Sequence, residues 1–407
     1  MQLDVLIFGG GAAGLWLLDT LSLRGARALL VETDRLGSGQ TIAAQGIIHG
    51  GLKYTLQGGL TPSALQIREM PERWRECLAG RRQPDLRGTR IRAPHCYLWR
   101  TDSLASRLGM MGARVGLNVT PQLLNDEDRP AVLARCPGPV ARLDELVIAP
   151  DSFLETLFSK HRGRVLKVGS AGITWEFDTR RHVQSVRLPH PACDRHLTLT
   201  PRHVVLAAGK GNADLRRQIG LSDAAMQCRA LHMVLVRGRL PELNGHCVDG
   251  AATRVTITSD RDAAGRTIWQ VGGQIAEAGV SLDERTLIRR AQSEIEATIP
   301  GIQLTGVEWS TYRVDRAEGA TPNGNRPETV QMVHEGNVLT VWPTKLALAP
   351  LLAERVAEAL APFGSDATVD GAVPADWPRP EVALPPWETA RGWFRAADLD
   401  APARKAA

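Results

Sequence analysis

Asp4-Val-Leu-Ile-Phe8 runs directly into Gly9-Gly-Gly-Ala-Ala-Gly14, and an apolar stretch follows from Leu15 to Leu23. Few folds accept a strand, a glycine turn and a helix in that order. The unit is the opening of a doubly wound α/β sheet, in which Gly9 permits the tight turn, Gly11 lets backbone approach a pyrophosphate, and Gly14 lets helix pack closely on strand. With the amides of Ala12 and Ala13, the turn sets unpaired N–H groups and the positive end of the helix dipole where phosphates can sit. A second strand, Ala28-Leu-Leu-Val31, ends at Glu32, 18 residues beyond Gly14. That spacing is close to the ~20 expected for a carboxylate gripping a ribose hydroxyl.

The length of 407 residues, 43% of them hydrophobic, predicts two domains around a large core. The net charge is +5, but only six of 49 cations are lysine. An arginine bias of this kind reflects composition, and no dense basic run with interleaved aromatics points to nucleic acid. Six scattered cysteines include no CxxC pair. His190-x-x-Cys193, His95-Cys96 and His246-Cys247 are not completed by a second clustered pair, so no metal site is expected. No apolar run approaches the ~18 residues of a membrane span, and the N-terminus reads as a strand rather than a leader. The expectation is a reduced, cytoplasmic protein in which Asn118-Val-Thr120 is a chance sequon.

Further elements follow from hydrophobic period. His203-Val-Val-Leu-Ala-Ala-Gly209 reads as a second strand ending in a glycine turn, with short strands at Val165–Val168 and Val183–Leu188 before it. Asp151 or Ser152 is expected to cap a helix running to Phe158. From about 226 to 310 alternating segments (Leu231–Val236, Thr253–Thr258, Thr267–Val271) predict an antiparallel sheet in a separate layer. Asn337–Trp342 is another buried strand, and Pro343-Thr-Lys345 leads from it into a helix over Leu346–Leu360. The tail is proline-rich and carries Trp377, Trp387 and Trp393, which favours a packed strap over a partner site or a membrane-surface contact. The expected organisation is a discontinuous nucleotide domain (1–80, 145–220, 325–365), a substrate domain (81–144, 221–324) and a tail (366–407). Nucleotide elements split this way argue for a flavoprotein with an inserted substrate sheet.

Five segments together resemble the D-amino-acid oxidase superfamily of FAD enzymes, and within it the FAD-dependent glycerol-3-phosphate dehydrogenases. They are the N-terminal glycine motif; Gln45-Gly-Ile-Ile-His-Gly-Gly-Leu-Lys-Tyr54; Val204–Gly209; Thr311-Tyr-Arg-Val314 with Thr321-Pro-Asn-Gly324; and Thr344-Lys-Leu346 with Pro350. The resemblance implies an α/β fold with a Rossmann-type FAD-binding domain and an inserted, mainly antiparallel substrate sheet. It implies FAD contacts from Gly9, Gly11, Ala12, Ala13, Gly14, Glu32, Thr41, Gln45, Gly46, Ile48, His49, Val168, Ala208, Gly209, Thr344, Lys345 and Leu346. The chain departs from the family pattern at Pro343-Thr344, where relatives have Gly-Gly, and at Val314, where they have proline. It also lacks the helical C-terminal domain of the glycerol-phosphate enzymes.

The expected reaction is dehydrogenation of a small anionic hydroxy compound, a hydroxy acid or a polyol phosphate, by hydride transfer to flavin. Arg313 with Lys345 or Lys53 would hold the anion, and His232 or His49 would take the hydroxyl proton. For His232 the residues alone favour a satisfied core histidine, and only the resemblance raises it to a candidate base. The alternatives are an amino-acid or amine (C–N) oxidase of the same superfamily, a non-catalytic FAD-binding protein and a nicotinamide-only enzyme. Oxygen, a quinone or a soluble carrier stay open as electron acceptor, as does peripheral contact with the inner face of a membrane.

Overall fold

The computed structural model describes residues 1–50, 67–101, 121–249, 252–363 and 373–399. Its first sheet is built around the strand Gln2–Phe8, which pairs in parallel with Ala28–Glu32 on one side and His196–Leu206 on the other. Val165–Lys167 extends one edge and Val338–Trp342, then Gln331–Glu335, the other; a hairpin of Thr174–Phe177 and Val183–Pro189 continues His196–Leu206. Both faces are covered. Val5 and Ile7 point to one core with the helices Ala12–Leu23 and Ala349–Leu360, while Leu6 and Phe8 point to a second. Period-2 alternation therefore puts apolar residues on both sides, which is why this strand reads as an unbroken apolar run.

The second sheet has nine strands in the order Phe394–Arg395, Glu308–Gly319, Met226–Gly238, Thr267–Gly272, Ala252–Arg261, Gly245–Asp249, Cys96–Trp99, Val140–Leu143 and Gln122–Leu123. It is antiparallel except where Gly245–Asp249 meets Cys96–Trp99. One face is closed by the helix Glu284–Thr298, whose Leu287, Ile288, Ala291 and Ile295 pack with Val234, Val236, Trp269 and Trp309. This helix lies within the 226–310 region in which the alternating segments predicted an antiparallel sheet. Asp283 starts it by accepting from the Thr286 N–H at 3.0 Å.

One local expectation is corrected. The helix Pro150–His161 has Ala149 at its N-cap and no side-chain cap; Pro150 presets the first turn, and Ser152 Oγ instead accepts from the Arg90 N–H at 2.8 Å. The tail packs as a strap, as expected, and joins both layers. Backbone bonds tie Lys167 to Pro378 and Leu36 to Glu381 and Ala383, Trp377 and Trp387 are buried, and Phe394–Arg395 adds a strand to the second sheet.

Candidate active site

A cavity of about 690 Å³ runs from the glycine turn to the seam between the sheets. At one end Gly9 has φ +107°, and a Cβ there would lie 2.5 Å from Ala208 Cα. A Cβ on Gly14 would lie 2.0 Å from the Gly9 carbonyl oxygen. Only glycine lets the turn, the helix start and the Ala207–Gly209 turn come this close. The Thr41 hydroxyl accepts from the Ala12 N–H at 3.1 Å. Glu32 is fixed by three backbone donors, Gly10 at 2.7 Å, Thr33 at 2.8 Å and Asp34 at 3.0 Å, so its carboxylate faces the cavity in one pose.

At the other end lie Tyr312, Arg313, Lys345 and Leu346, with Leu384, Pro386 and Thr389 of the tail on the rim. The Tyr312 hydroxyl donates to the Ala43 carbonyl at 2.9 Å and accepts from Gln270 Nε2 at 2.5 Å. Burial pushes its pKa above the ordinary tyrosine range. Lys345 is 7% exposed and stands after Thr344, a buried β-branched residue at φ +65°. The Thr344 hydroxyl donates to the Thr329 carbonyl at 2.8 Å, which holds the turn in this conformation.

Of the expected site residues, Gly9, Gly11, Ala12, Ala13, Glu32, Thr41, Ala208, Gly209, Arg313, Lys345 and Leu346 line this cavity. Arg313 spends two donors on backbone, Nη1 to Val280 O at 2.8 Å and Nη2 to Leu282 O at 3.1 Å. Gln45 joins the layers, its amide donating to the carbonyls of Thr256 and Gln270. Gly46 and Ile48 pair with the 146–148 backbone, and Val168 is buried beside Glu32, whose carbonyl accepts from its N–H. Lys53 lies outside the described residues.

His232 does not reach the cavity. It shares a sheet face with Thr311 and Arg313, beneath the 279–284 segment, and is 3% exposed. Its Nδ1 contacts Gly279 O at 3.1 Å and its Nε2 contacts Thr311 Oγ1 at 3.0 Å. Burial, with the Arg313 charge, lowers its pKa. The alternation that turns His232 this way sends Met233 and Tyr312 to the other face. Tyr312 was missed because the reading of Thr311–Val314 stopped at the charged residue; period 2 could have found it. His49 Nδ1 lies 3.2 Å from Glu145 Oε2, beside His246, rather than on the cavity wall. Glu145 was missed, His246 was weighed only beside Cys247 and set aside, and no local pattern links either to His49.

The family model for FAD-dependent oxidoreductases of the D-amino-acid oxidase type matches residues 4–358. The chain belongs to that family. It is 38% identical over 395 residues to the probable FAD-dependent oxidoreductase PA4991 of Pseudomonas aeruginosa, covering 96% of this chain and 98% of that protein. The crystal structure of that relative superposes with a TM-score of 0.79 at 35% identity, over 96% of this chain and 98% of the other. The fold is shared more distantly with glycine oxidase of Geobacillus kaustophilus (19% identity, TM-score 0.60, 88% and 94% covered). It is also shared with the FAD complex of glycerol-3-phosphate dehydrogenase from Bacillus halodurans (15% identity, TM-score 0.56, 88% and 64% covered). The protein is an FAD-dependent oxidoreductase, and its cavity fits that cofactor. The glycine cradle is too tight for any Cβ at Gly9 or Gly14, and a carboxylate fixed by backbone donors lines the cavity beside it. Among the described residues no helix is long and apolar enough to cross a membrane.

Proposed function

We propose that the enzyme oxidises a small anionic substrate and that the bond it dehydrogenates is C–N rather than C–OH. One observation carries the choice: among the described residues no imidazole lines the cavity. An alcohol must lose its hydroxyl proton as its C–H bond breaks, and a neutral histidine is the usual base. A neutral amine needs no such base, because its lone pair already assists loss of hydride. Bound FAD supplies the two-electron acceptor. The Gly9–Gly14 turn, the Ala12 and Ala13 amides, Glu32 and Thr41 are the residues proposed to hold its dinucleotide part.

Lys345 is the proposed anion anchor. A compact, largely buried ammonium on the cavity wall attracts a carboxylate more strongly than the same group in water. Arg313 is on the His232 face of the strand, opposite Tyr312, so it is not the anchor. Its backbone-bound guanidinium is a fixed electrostatic neighbour rather than a bidentate clamp. Tyr312, held between Ala43 and Gln270, keeps its proton and shapes the wall between the layers.

The test is anaerobic bleaching of the 450 nm flavin band by matched pairs of amino acids and hydroxy acids. Bleaching by the amino member of a pair is the expected result. Reduction by hydroxy acids alone would restore the alcohol reading and return attention to His49. Lys345→Met should raise KM for the anionic substrate more than it lowers kcat. Adding oxygen, a soluble quinone or a dye to the reduced enzyme then identifies the acceptor class.

A further inference from the structure

Three donor atoms from distant segments converge beside the seam between the sheets: His49 Nδ1, Glu145 Oε2 and His246 Nε2 all lie within 4.8 Å of one another. The carboxylate oxygen is 3.2 Å from the His49 nitrogen and 3.8 Å from the His246 nitrogen. A tetrahedral ion with bonds of about 2.0–2.1 Å needs donors about 3.4 Å apart. The observed spacings bracket that edge, so small side-chain adjustments close the site. Glu145 and His246 are buried, and His49 keeps 31% of its side chain exposed, which leaves one side open to an entering ion and a water ligand.

The surroundings hold the donors in place. Glu145 Oε1 accepts from the Gly50 N–H at 2.8 Å, which leaves Oε2 directed at the two imidazoles. His246 Nδ1 meets Thr256 Oγ1 at 2.8 Å, and this contact turns Nε2 toward the carboxylate. Outer partners of this kind fix ring orientation and carboxylate pose at metal centres.

We propose that His49, Glu145 and His246 form a binding site for a divalent transition ion of the zinc class. Two imidazoles and one carboxylate suit such an ion better than calcium or magnesium, which prefer oxygen ligands. The ion would join the Gln45–Gly50 segment, the loop that carries Glu145 and the strand Gly245–Asp249, and so fasten the wall next to the cofactor cavity to the second sheet. No bond is made or broken. Of the local His/Cys pairs considered from sequence only His246 takes part, without its neighbour Cys247; in another pair Cys193 Sγ lies 3.1 Å from His190 Nδ1 at an exposed position.

The FAD-loaded protein, stripped with EDTA and dialysed into metal-free buffer, is titrated calorimetrically with zinc chloride at pH 7.5. The expected result is one binding event per chain that weakens about a hundredfold or more in Glu145→Gln and in His246→Gln, the range that loss of a ligand or its support produces. Cys193→Ser should leave it unchanged. The 450 nm flavin band of each variant reports its fold. If Glu145→Gln loses that band, His49→Gln, at the most exposed of the three positions, carries the same comparison. Absence of a one-site event, persistence of the event in the ligand variants, or its loss in Cys193→Ser would each overturn the proposal. The readout is zinc affinity, so it is independent of which substrate bond the enzyme oxidises.

Discussion

Gly14→Ala separates a packing role from a propensity role at the cofactor cradle. By helix propensity the change is favourable by roughly 0.5–1 kcal/mol. By packing it is not, because the new Cβ would sit 2.0 Å from the Gly9 carbonyl oxygen and 3.2 Å from Leu30 Cδ1, where ordinary contacts begin at 3.4 Å. The obstacle at Gly9 is backbone, so the helix Ala12–Leu23 and the turn must separate by about 1 Å, a displacement that can cost 10²-fold in a positioned site. The cradle should then lose two or three phosphate hydrogen bonds, at about 0.5–1.5 kcal/mol each. Taken together, these bonds amount to about 1–4.5 kcal/mol, so FAD affinity should fall about 5- to 1,500-fold, using 1.4 kcal/mol per tenfold. Titration of apoprotein with FAD, followed by quenching of flavin fluorescence, measures it. Gly163→Ala is the control, since nothing lies within 4 Å of its added Cβ. A Gly14→Ala affinity within threefold of the parent would refute the argument that contact at this glycine sets the cradle.

Other outcomes follow from particular residues. Thr344→Gly removes a left-handed penalty of roughly 1–2 kcal/mol and loses one hydroxyl bond of about 0.5–1.5 kcal/mol, so its thermal stability should stay near the parent. Thr344→Ala keeps the penalty and loses the bond; a melting temperature equal to or above that of Thr344→Gly would show that the turn is not strained. Arg216 is 1% exposed and bonds Glu335, Thr340 Oγ1 and the Ser222 carbonyl. Arg216→Met should cost about 3 kcal/mol in urea unfolding, partly recovered by adding Glu335→Gln; a loss under 1 kcal/mol would contradict this. Burial would raise the Asp4 pKa, but hydrogen bonds and charge from Arg27 lower it overall. A depressed folded pKa stabilises above the unfolded value of about 3.9 and ceases to do so as pH falls through the folded value. Asp4→Asn should therefore be less stable than the parent at pH 7, with the gap narrowing below about pH 4. A gap that does not change with pH would remove the charge from the explanation.

Much of the nucleotide half was legible in the chain because its signals are local. The strand, the three spaced glycines and Glu32 lie within 31 residues, and each is dictated by backbone geometry: φ +107° at Gly9, and no room for a Cβ at Gly14. The alternating strands of the second sheet and the helix after Lys345 were legible for the same reason, since period alone reveals them. The helix Glu284–Thr298 was overlooked although Asp283 caps it, because the alternating strands on either side dominated the reading.

Which face a residue occupies, and what meets it there, was decided by tertiary structure. His232 and Tyr312 belong to adjacent antiparallel strands, yet one is sealed under a helix and the other lines the cofactor cavity. The sheet register and the helix cover set that difference, and neither is local. His49 stands in a motif that suggested a base beside the flavin, but the fold turns it toward Glu145, 96 residues away, and His246. Cofactor class was written in sequence because a phosphate cradle is built from consecutive backbone. The choice of substrate bond and the His–Glu–His cluster were not, because side chains from separate segments make them only once the two sheets have docked.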